Sequence, residues 1–457
     1  MAVQTVAEIL AQFAHGLKYN DLPEAVVHEA KRRIIDSVGC AMGAFHERPA
    51  VVARSLAMES CGSYPRGATI LGTDFKTSPE LAAFANGTMI RCLDYNDTYL
   101  SLEPAHPSDN LSAALAQAET GDLGGRELIT ALVIGYEVQC RLCDAASLRM
   151  RGWDHVTYGA ISTALVAGNL LGLTREEMVH ALGLAGVPNV TLRQTRVGEL
   201  SMWKGCAFAN AARNGLFAAR LAKFGMTGPA PLFEGEKGFF NQVSGPFTLA
   251  PLAGGKNPFK ILETYIKFYP AEYHAQTGIV AALELRPEVP SIDEIVGICI
   301  EACDACVDII GSEPEKWRPN TRETADHSLP YCVAVALLDG AVSLESFEPK
   351  KITDPRLVEL IQKISVSRNK ELSAQYPEAS PNEVRIELRS GKVLQRRVTY
   401  CRGHPKNPMT DAEVEAKFRG LARPILSEQR MDQVLETMWK LEEVSKLGSL
   451  FRLFIGR

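Results

Sequence analysis

The amino-acid sequence predicts a mainly α protein, in which a large all-helical domain carries a smaller α+β domain. Helical patterns follow one another up to about residue 250, strand-like alternation appears only after a Gly/Pro-rich connection at Pro251–Pro258, and helical patterns return near the end. If the returning helices pack on the first ones, the α+β part is an insertion. We therefore place the helical domain at residues 1–266 and 403–457 and the α+β domain at residues 267–402.

Local start and stop signals delimit the helices of the first part. Pro23 opens a helix after Asp21, and Thr174 with Glu177 forms a capping box, in which two side chains satisfy backbone groups at the helix start. Alanine and glycine recur in several of these segments, which predicts close packing between helices. The predicted helices are one that Asp21 and Pro23 open and that runs to about Ala44, a segment from Ser78 through Arg91, Leu128–Cys143, His155–Leu171, a segment from Thr174, and Lys204–Phe224.

Strand and turn signals define the α+β part. Glu294–Glu301 reads as a strand, and Val384–Leu388 and Val393–Val398 flank a Ser390-Gly391 turn, which predicts a β-hairpin. The helices predicted in this half of the chain are Ser328–Asp339, one that begins at a capping box of Thr410 and Glu413, and Met431–Lys446.

Composition limits the classes of function. The 457 residues are 46% hydrophobic and 23% charged, as in ordinary globular proteins. A net charge of −5 and a pI of about 6.1 argue against a nucleic-acid-binding protein, which usually carries a basic excess, yet a local cluster of cations can still serve an anionic substrate. No apolar run is long enough to cross a membrane, and Met1–Leu17 lacks the pattern of a secretion signal, so we expect a cytoplasmic protein.

The eleven cysteines indicate free thiols rather than a metal centre. Cys140 and Cys143 share a helix expected to be buried, and Cys303 with Cys306 follows a strand. Neither pair has the second pair or the added histidines that a zinc site needs, and an iron–sulfur cluster needs cysteines that are grouped more closely. We therefore interpret both pairs as structural thiols. The sequence also lacks a Gly-rich phosphate loop.

Two polar motifs between predicted helices form the densest candidate site. Asp94–Thr98 reads D-Y-N-D-T, and His106–Leu111 reads H-P-S-D-N-L. Carboxylates, a hydroxyl and a histidine thus share one short stretch, and loops between rigid elements commonly hold sites. The alternative interpretation is a capped turn, because Ser108 and Asp109 are good N-cap residues.

Two further candidates lie near predicted helix starts. His155 follows Asp154 at the beginning of a helix, where the positive partial charge of the helix end disfavours protonation. Lys204 begins a helix and follows Arg193–Glu199; its charge opposes the helix macrodipole, which predicts an anionic partner. The alternatives are a satisfied capping histidine and a solvated lysine.

Two motifs belong to the second half of the chain. Tyr269–Thr277, with His274, lies at the predicted boundary between the two parts, where ligand sites often form. Thr324–Tyr331 precedes an apolar helix, and there Asp326 or Ser328 can simply be an N-cap.

Together these segments resemble the MmgE/PrpD family. The most specific are L-D-Y-N-D-T-Y at Leu93–Tyr99, H-P-S-D-N-L at His106–Leu111, the region of Lys204, and Y-P-A-E-Y-H-A-Q-T at Tyr269–Thr277. The resemblance covers almost the whole chain. It implies a helical domain built from both chain ends, a smaller α+β lid domain, a homodimer, and no required metal or cofactor.

The resemblance also implies a site in the cleft between the domains. The positions that match the family are Asp94, Thr98, His106, His155, Lys204 and His274. We expect His106, His155, Lys204 and Asp94 to be catalytic and Thr98 and His274 to bind substrate. Arg91 and Arg196 are added as substrate-binding candidates because arginine suits bidentate pairing with carboxylates.

The resemblance favours one reaction, the dehydration of 2-methylcitrate to 2-methyl-cis-aconitate without a metal. The spacing from D-Y-N-D-T-Y to H-P-S-D-N-L looks like that of 2-methylcitrate dehydratases, whereas T-A-D-H-S-L-P-Y at Thr324–Tyr331 departs from their pattern. The alternatives on the same scaffold are a cis-aconitate decarboxylase and an isomerase or epimerase of a related acid. A non-enzymatic helical binding protein is disfavoured, because the chain has no internal repeat.

Overall fold

The computed structural model describes residues 4–64 and 66–456. Helices dominate, and they occur throughout both halves of the chain. The α-helices are α1 Val6–Gly16, α2 Glu24–Gly43, α3 Arg48–Met58, α4 Pro79–Arg91, α5 Leu111–Thr120, α6 Gly125–Ala145, α7 Thr157–Leu170, α8 Arg175–Gly186, α9 Trp203–Lys223, α10 Gln276–Leu285, α11 Asp304–Cys306, α12 Pro314–Trp317, α13 Arg322–Ala325, α14 Leu329–Asp339, α15 Pro349–Ile352, α16 Pro355–Gln362, α17 Lys370–Ser373, α18 Asp411–Ala422, α19 Glu428–Trp439 and α20 Gly448–Phe451. The strands are β1 Ala68–Thr69, β2 Lys76–Thr77, β3 Ile295–Ala302, β4 Ile364–Arg368, β5 Asn382–Leu388 and β6 Val393–Val398.

The caps expected from the sequence are present. Thr174 and Glu177 form a capping box on α8, and Thr410 and Glu413 form one on α18. The Ser78 side chain accepts a hydrogen bond from a backbone N–H in the first turn of α4. These interactions satisfy backbone donors that a helix start leaves unpaired.

Close packing around α9 brings the candidate residues together. Helix α9 packs against α4, α7 and α8. A Cβ at Gly215 would lie 2.6 Å from the carbonyl oxygen of Ala160 on α7, and a Cβ at Gly205 would lie 2.9 Å from the Cα of Cys92, just after α4. Only glycine allows these approaches, and the second one places the start of α9 beside the turn that follows α4.

The larger sheet has the strand order β4-β3-β5-β6. Strands β3 and β4 are parallel, with Ile298 opposite Ile364, whereas β5 is antiparallel to both β3 and β6. The hairpin expected around Ser390-Gly391 is therefore confirmed. Helix α10 packs on β5 and β6, and α14 packs on α10, so the sheet has one helix-covered face.

The two largest hydrophobic cores of the described residues follow from this arrangement. One core collects side chains between Val6 and Ile266 and again between Met409 and Phe454, and the other collects side chains between Ala271 and Leu394. Helix α18 closes the first core by packing on α2. The prediction of a mainly α protein is confirmed, while the lid role of the α+β part and the domain limits at 266/267 and 402/403 stay predictions.

Several predicted helix boundaries were wrong; among them, α6 begins at Gly125 rather than Leu128, and α19 begins at Glu428 rather than Met431. Helix α7 begins at Thr157, so His155 lies two residues before it, because Asp154 forms a turn there: its carboxylate accepts from the N–H of Val156 and its carbonyl from the N–H of Thr157. The helix expected at 431–446 ends at Trp439, because the backbone of Lys440 leaves the helical region.

Two sequence-based expectations concern cysteines and membranes. All eleven cysteines are free thiols, and both members of each closely spaced pair are buried. Within residues 4–64 and 66–456, no helix has both the length and the apolar character that a membrane crossing requires.

Candidate functional site

Asp94 is the centre of a buried charged cluster. It follows α4 with φ of 50°, and its carboxylate is inaccessible to solvent. Arg91 pairs with one carboxylate oxygen, which Lys267 Nζ also approaches to 2.8 Å; Lys204 Nζ and His327 Nδ1 lie 3.7 and 3.3 Å from the other. Burial would raise the pKa of Asp94, but the three cations together hold it well below its usual value. Asp94 is therefore ionised, and its carboxylate holds the three cations Arg91, Lys204 and Lys267 around one point.

Lys204 links the two parts of the chain. Its ammonium, 1% exposed, donates to Asp326 Oδ1 at 2.7 Å and lies 3.0 Å from His327 Nδ1. The carboxylates of Asp326 and Asp94 are thus the anionic partners that a lysine at a helix start requires. Burial raises the pKa of Asp326, although Lys204 opposes the shift.

The hydrogen bonds of His106 settle its tautomer. Nδ1 lies 2.7 Å from the carbonyl oxygen of Asp97, which can only accept, so Nδ1 carries the proton. Arg91 Nη2 lies 2.9 Å from Nε2 and can only donate, so Nε2 is the acceptor. Burial and the Arg91 charge hold the pKa of His106 well below its usual value. His106 is therefore a neutral imidazole with both nitrogens engaged.

His155 lies beside His106, with ring centroids 5.6 Å apart. Its Nδ1 is 3.3 Å from Asp154, and Arg196 Nη2 reaches Nε2 at 3.5 Å. Arg196 also donates to Asp154 at 2.7 Å, and Arg193 lies 3.8 Å from the same oxygen. Burial lowers the pKa of His155 to about 3, while Arg196, acting against burial, lowers the pKa of Asp154 to about 2. His155 and Arg196 thus form a neutral imidazole next to a cation.

We expect His155 to make the fold sensitive to acid. The folded-state pKa is about 3 and the ordinary value is 6.5, so below pH 6.5 the unfolded state binds this proton and the folded state does not. The free energy of unfolding therefore falls as the pH drops, and between pH 7 and pH 5 the loss from His155 is about 2 kcal/mol. Urea unfolding at both pH values measures it: His155→Gln should lose less stability than the wild type on acidification, and equal losses would contradict the assignment.

His274 is held at the edge of the α+β part. Its Nδ1 donates to Glu272 at 2.9 Å, and its ring stacks on Tyr376. Nε2 is buried and has no hydrogen-bond partner among the described residues. The backbone N–H of Glu272 donates to the carbonyl of Asp326, which ties this segment to the Lys204 pair. A buried nitrogen without a partner is suited to a polar ligand atom.

Thr98 is less available than the other predicted residues. Its hydroxyl donates to the carbonyl of Ala105 at 3.1 Å, and its backbone pairs with that of Tyr265 in both directions. Only the lone pairs of the hydroxyl oxygen remain for a substrate, and its substrate-binding role stays a prediction.

The structure adds charged residues that sequence reasoning did not select as site residues. Lys267 contacts Asp94, and Asp326 with His327 contacts Lys204. Asp326 lies in the Thr324–Tyr331 motif, for which a helix cap was the alternative interpretation, but the N-cap of α14 is Ser328. Lys267 follows the apolar pair Tyr265-Ile266. A lysine beside apolar residues was the only local sign in the sequence that this side chain is buried with a charged partner.

Helix α18 holds the Asp94 turn in place. Its Lys417 donates to the carbonyls of Tyr95 and Lys267 at 2.7 and 2.8 Å and pairs with Asp36 at 2.7 Å. The returning tail thus fixes the backbone on both sides of the ion pair between Asp94 and Lys267.

Asp94, Asp326 and His327 also offer donor atoms within 4.8 Å of one another, as a metal site would. The Lys204 ammonium already lies among these atoms, close to both carboxylates. A divalent cation at this point would have to displace it against the repulsion of Arg91 and Lys267. The donor set is therefore better suited to a buried lysine than to a metal ion.

Family models and known proteins match this sequence over most of its length. A family model described as the MmgE/PrpD N-terminal domain matches residues 8–252, and one described as the C-terminal domain matches residues 269–441. A protein named 2-methylcitrate dehydratase from Cupriavidus necator is 32% identical over 404 residues, covering 82% of this chain and 81% of that protein.

Two other relatives align over nearly the full length. A 2-methylcitrate dehydratase from Escherichia coli K12 is 30% identical over 476 residues, covering 96% of this chain and 95% of that protein. A cis-aconitate decarboxylase from Mus musculus is 26% identical over 488 residues, covering 100% and 94%. Since the two family domains together match far more than half of the sequence, the chain belongs to the MmgE/PrpD family.

Proposed function

We propose that this protein is a metal-independent hydro-lyase that dehydrates a tricarboxylic hydroxy acid, converting 2-methylcitrate to 2-methyl-cis-aconitate. The observation that carries the proposal is the collection of cations and neutral histidines around Asp94. The relatives named 2-methylcitrate dehydratase support the choice of substrate.

The charge balance of the site suits an anion. Five cations lie in this cluster with five carboxyl groups, and burial raises the pKa of two of these, Asp109 and Asp326, to about 7. The site therefore keeps an excess of positive charge near neutral pH. The cations are Arg91, Arg193, Arg196, Lys204 and Lys267, and the carboxyl groups are Asp94, Asp109, Asp154, Glu272 and Asp326.

Dehydration makes two chemical demands. A proton must leave a carbon next to a carboxylate, so the charge that develops on that carboxylate needs stabilisation. The hydroxyl group must also leave, and it needs a proton because hydroxide is a poor leaving group. Without a metal, cationic side chains and histidines have to meet both demands.

The predicted residues divide this work. We assign Lys204, Arg91 and Arg196 to the substrate carboxylates and His274, through its unpaired Nε2, to a further substrate oxygen. Asp94 orients the cations. His106 and His155 lie at the reacting carbons, where they exchange protons or hold the hydroxyl group. An α+β lid that closes over this cleft would exclude water from it.

We expect His106→Gln to lower kcat by a factor of about 100 to 10,000, the range for loss of an acid–base group. Without substrate, Asp97 and Arg91 hydrogen-bond the two ring nitrogens of His106. Nε2 can therefore act on the substrate only if Arg91 leaves it and turns toward a substrate carboxylate. Steady-state kinetics with 2-methylcitrate measure the loss. His180→Gln is the matched control. His180 lies on α8, and its Nδ1 is within hydrogen-bond distance of the carbonyl of Gly228, away from the cluster, so the kcat of this variant should equal that of the wild type. A near-wild-type kcat for His106→Gln would remove it from the mechanism.

The function itself is tested with chelator-treated protein. 2-Methylcitrate, citrate and cis-aconitate are supplied separately, and ultraviolet absorbance of the conjugated acid and release of carbon dioxide are followed. Absorbance that rises with 2-methylcitrate, without gas, supports the proposed dehydratase. Gas from cis-aconitate would instead favour the decarboxylase, the alternative that the relatives of that name support. No turnover of any of the three would refute both.

Oligomeric state is a separate proposal. The family resemblance predicts a homodimer, and light scattering coupled to size-exclusion chromatography checks it: a mass near twice 49.9 kDa is expected, and a mass near 49.9 kDa contradicts it.

A further inference from the structure

We infer that His327 is a further catalytic residue, whose Nε2 takes the proton from the substrate carbon next to a carboxylate. The inference rests on the proposed dehydration and adds to it a residue that the family resemblance did not select; His106 and His155 then hold the hydroxyl group rather than exchange protons. It is carried by the surroundings of the two ring nitrogens.

The first observation is the set of groups around Nδ1. Asp326 Oδ1 lies 2.7 Å from this atom, Asp94 Oδ2 lies 3.3 Å away, and Lys204 Nζ lies 3.0 Å away. Asp326 Oδ1 is closer to Nδ1 than the Lys204 ammonium is, and Lys204 already donates to that same oxygen, so the proton lies on Nδ1, which donates it to Asp326. Nε2 is consequently the nitrogen with a free lone pair.

The second observation is the accessibility of Nε2. His327 is 6% exposed, and its Nε2 has no hydrogen-bond partner among residues 4–64 and 66–456, yet it is not among the fully buried polar atoms without a partner. The atom therefore retains contact with solvent. An unpaired nitrogen that solvent reaches, beside the charged cluster, is where a substrate atom can meet a base.

The other site histidines lack this combination. Both nitrogens of His106 are engaged, by Arg91 and by a carbonyl. His155 has a buried Nδ1 without a hydrogen bond and an Nε2 that faces Arg196. His274 resembles His327 in having a carboxylate at Nδ1, but its Nε2 is buried. Among the described site histidines, His327 alone combines a carboxylate-backed Nδ1 with an accessible, unpaired Nε2.

The step conserves atoms and electrons. Nε2 takes the carbon-bound proton, the C–H electron pair becomes the second bond of the new C=C, and the C–O bond breaks with its pair on the leaving oxygen. The imidazolium then returns the proton from Nε2 to the departing hydroxide, so that water leaves and His327 is neutral again. Asp326 and Asp94 stabilise the imidazolium while it exists. Burial and Lys204 hold the pKa of His327 well below its usual value, so the resting ring is neutral, and the step depends on Asp94 and Asp326 to offset the cost of the charged imidazolium.

The groups that face His327 come from several elements. They are Lys204 on α9, Asp94 and Arg91 at the end of α4, Lys316 on α12, and Asp326 next to it in the chain. A change in any of them shifts the acidity of the ring, so the test replaces His327 itself.

The test compares His327→Gln, His327→Ala and the His180→Gln control in the full-length protein. Each is assayed with 2-methylcitrate that carries hydrogen or deuterium at the reacting carbon, and substrate binding is measured by calorimetry. We expect His327→Gln to lower kcat by at least about 100-fold, within the range for a lost base, while the substrate Kd changes by less than about threefold. The primary isotope effect on kcat should rise, because C–H cleavage becomes slower than the other steps.

Chemical rescue separates a base from a residue that only positions Lys204. Added imidazole should restore part of the activity of His327→Ala, and the restored rate should rise with pH as the added imidazole loses its proton. A kcat of His327→Gln within tenfold of the wild type, or a loss confined to KM with an unchanged isotope effect, would overturn the inference. An inactive wild type would instead refute the proposed function, so the two failures are distinguishable.

Discussion

Lys204→Met is expected to abolish most activity and to destabilise the protein as well. The substitution removes the cation that joins Asp326 to the Asp94 cluster, and both carboxylates are fully buried. Breaking a buried ion pair from one side costs about 3–5 kcal/mol, because the remaining charge stays without a partner. Loss of a group that stabilises charge on the substrate lowers kcat by about 100-fold or more. Urea unfolding and steady-state kinetics measure the two effects separately.

A second substitution separates stability from chemistry. Lys204→Met with Asp326→Asn removes both charges of the pair, so it should recover much of the lost stability but none of the kcat. Lys31→Met is the matched control, since Lys31 is a buried lysine that pairs with Glu442 at 3.0 Å, far from the cluster. This variant should lose stability and retain kcat. If the double variant regained activity together with stability, Lys204 would be a structural residue only.

Asp94→Asn is expected to have an effect of similar size. The residue lies in the left-handed backbone region, with φ of 50°, which asparagine adopts readily, so the backbone needs no rearrangement. The lost charge, however, leaves Arg91 and Lys267 without their shared anion in a buried site. We expect a loss of about 3–5 kcal/mol in the free energy of unfolding and a kcat at least about 100-fold lower, because the cations no longer hold their positions for substrate.

Glu137→Gln is the matched control for Asp94→Asn. Glu137 is also fully buried and pairs with Arg141 at 2.7 Å, but its other partners are the backbone N–H groups of Ala253 and Lys260, away from Asp94. It should destabilise the protein and leave kcat unchanged. An Asp94→Asn variant with wild-type kcat would show that the cluster serves only the fold.

Local sequence signals predicted much of the fold. The capping boxes at Thr174 and Thr410 lie within single turns, and each depends on residues three positions apart, so a sequence reveals them directly. The turn at Asp154 was missed because an aspartate can serve either as a cap or as a turn residue, and only the packing of α7 decides between them.

The site was predictable only where a motif was local. Asp94, Arg91 and His106 lie within sixteen residues of one another, and their grouping is visible in the sequence. Lys267 is 173 positions from Asp94, and Asp326 is 122 positions from Lys204. Helix and strand periodicity relates only residues a few positions apart, so it cannot predict contacts between residues this distant in the sequence. The ion pair between Lys204 and Asp326 also requires contact between two separate cores, which depends on tertiary packing rather than on local pattern.

The ion pair between Lys204 and Asp326 joins segments that two different family domains match, and this limits how freely relatives can exchange those domains. A chimera that takes residues 269–402 from a relative without a carboxylate at the position of Asp326 would leave the buried Lys204 ammonium without this ion-pair partner. Lys267 lies between the two matched ranges, so the position of the junction decides which parent supplies it. Functional chimeras should be those that inherit Asp94, Lys204, Lys267 and Asp326 as one set, whatever the identity of the remaining residues.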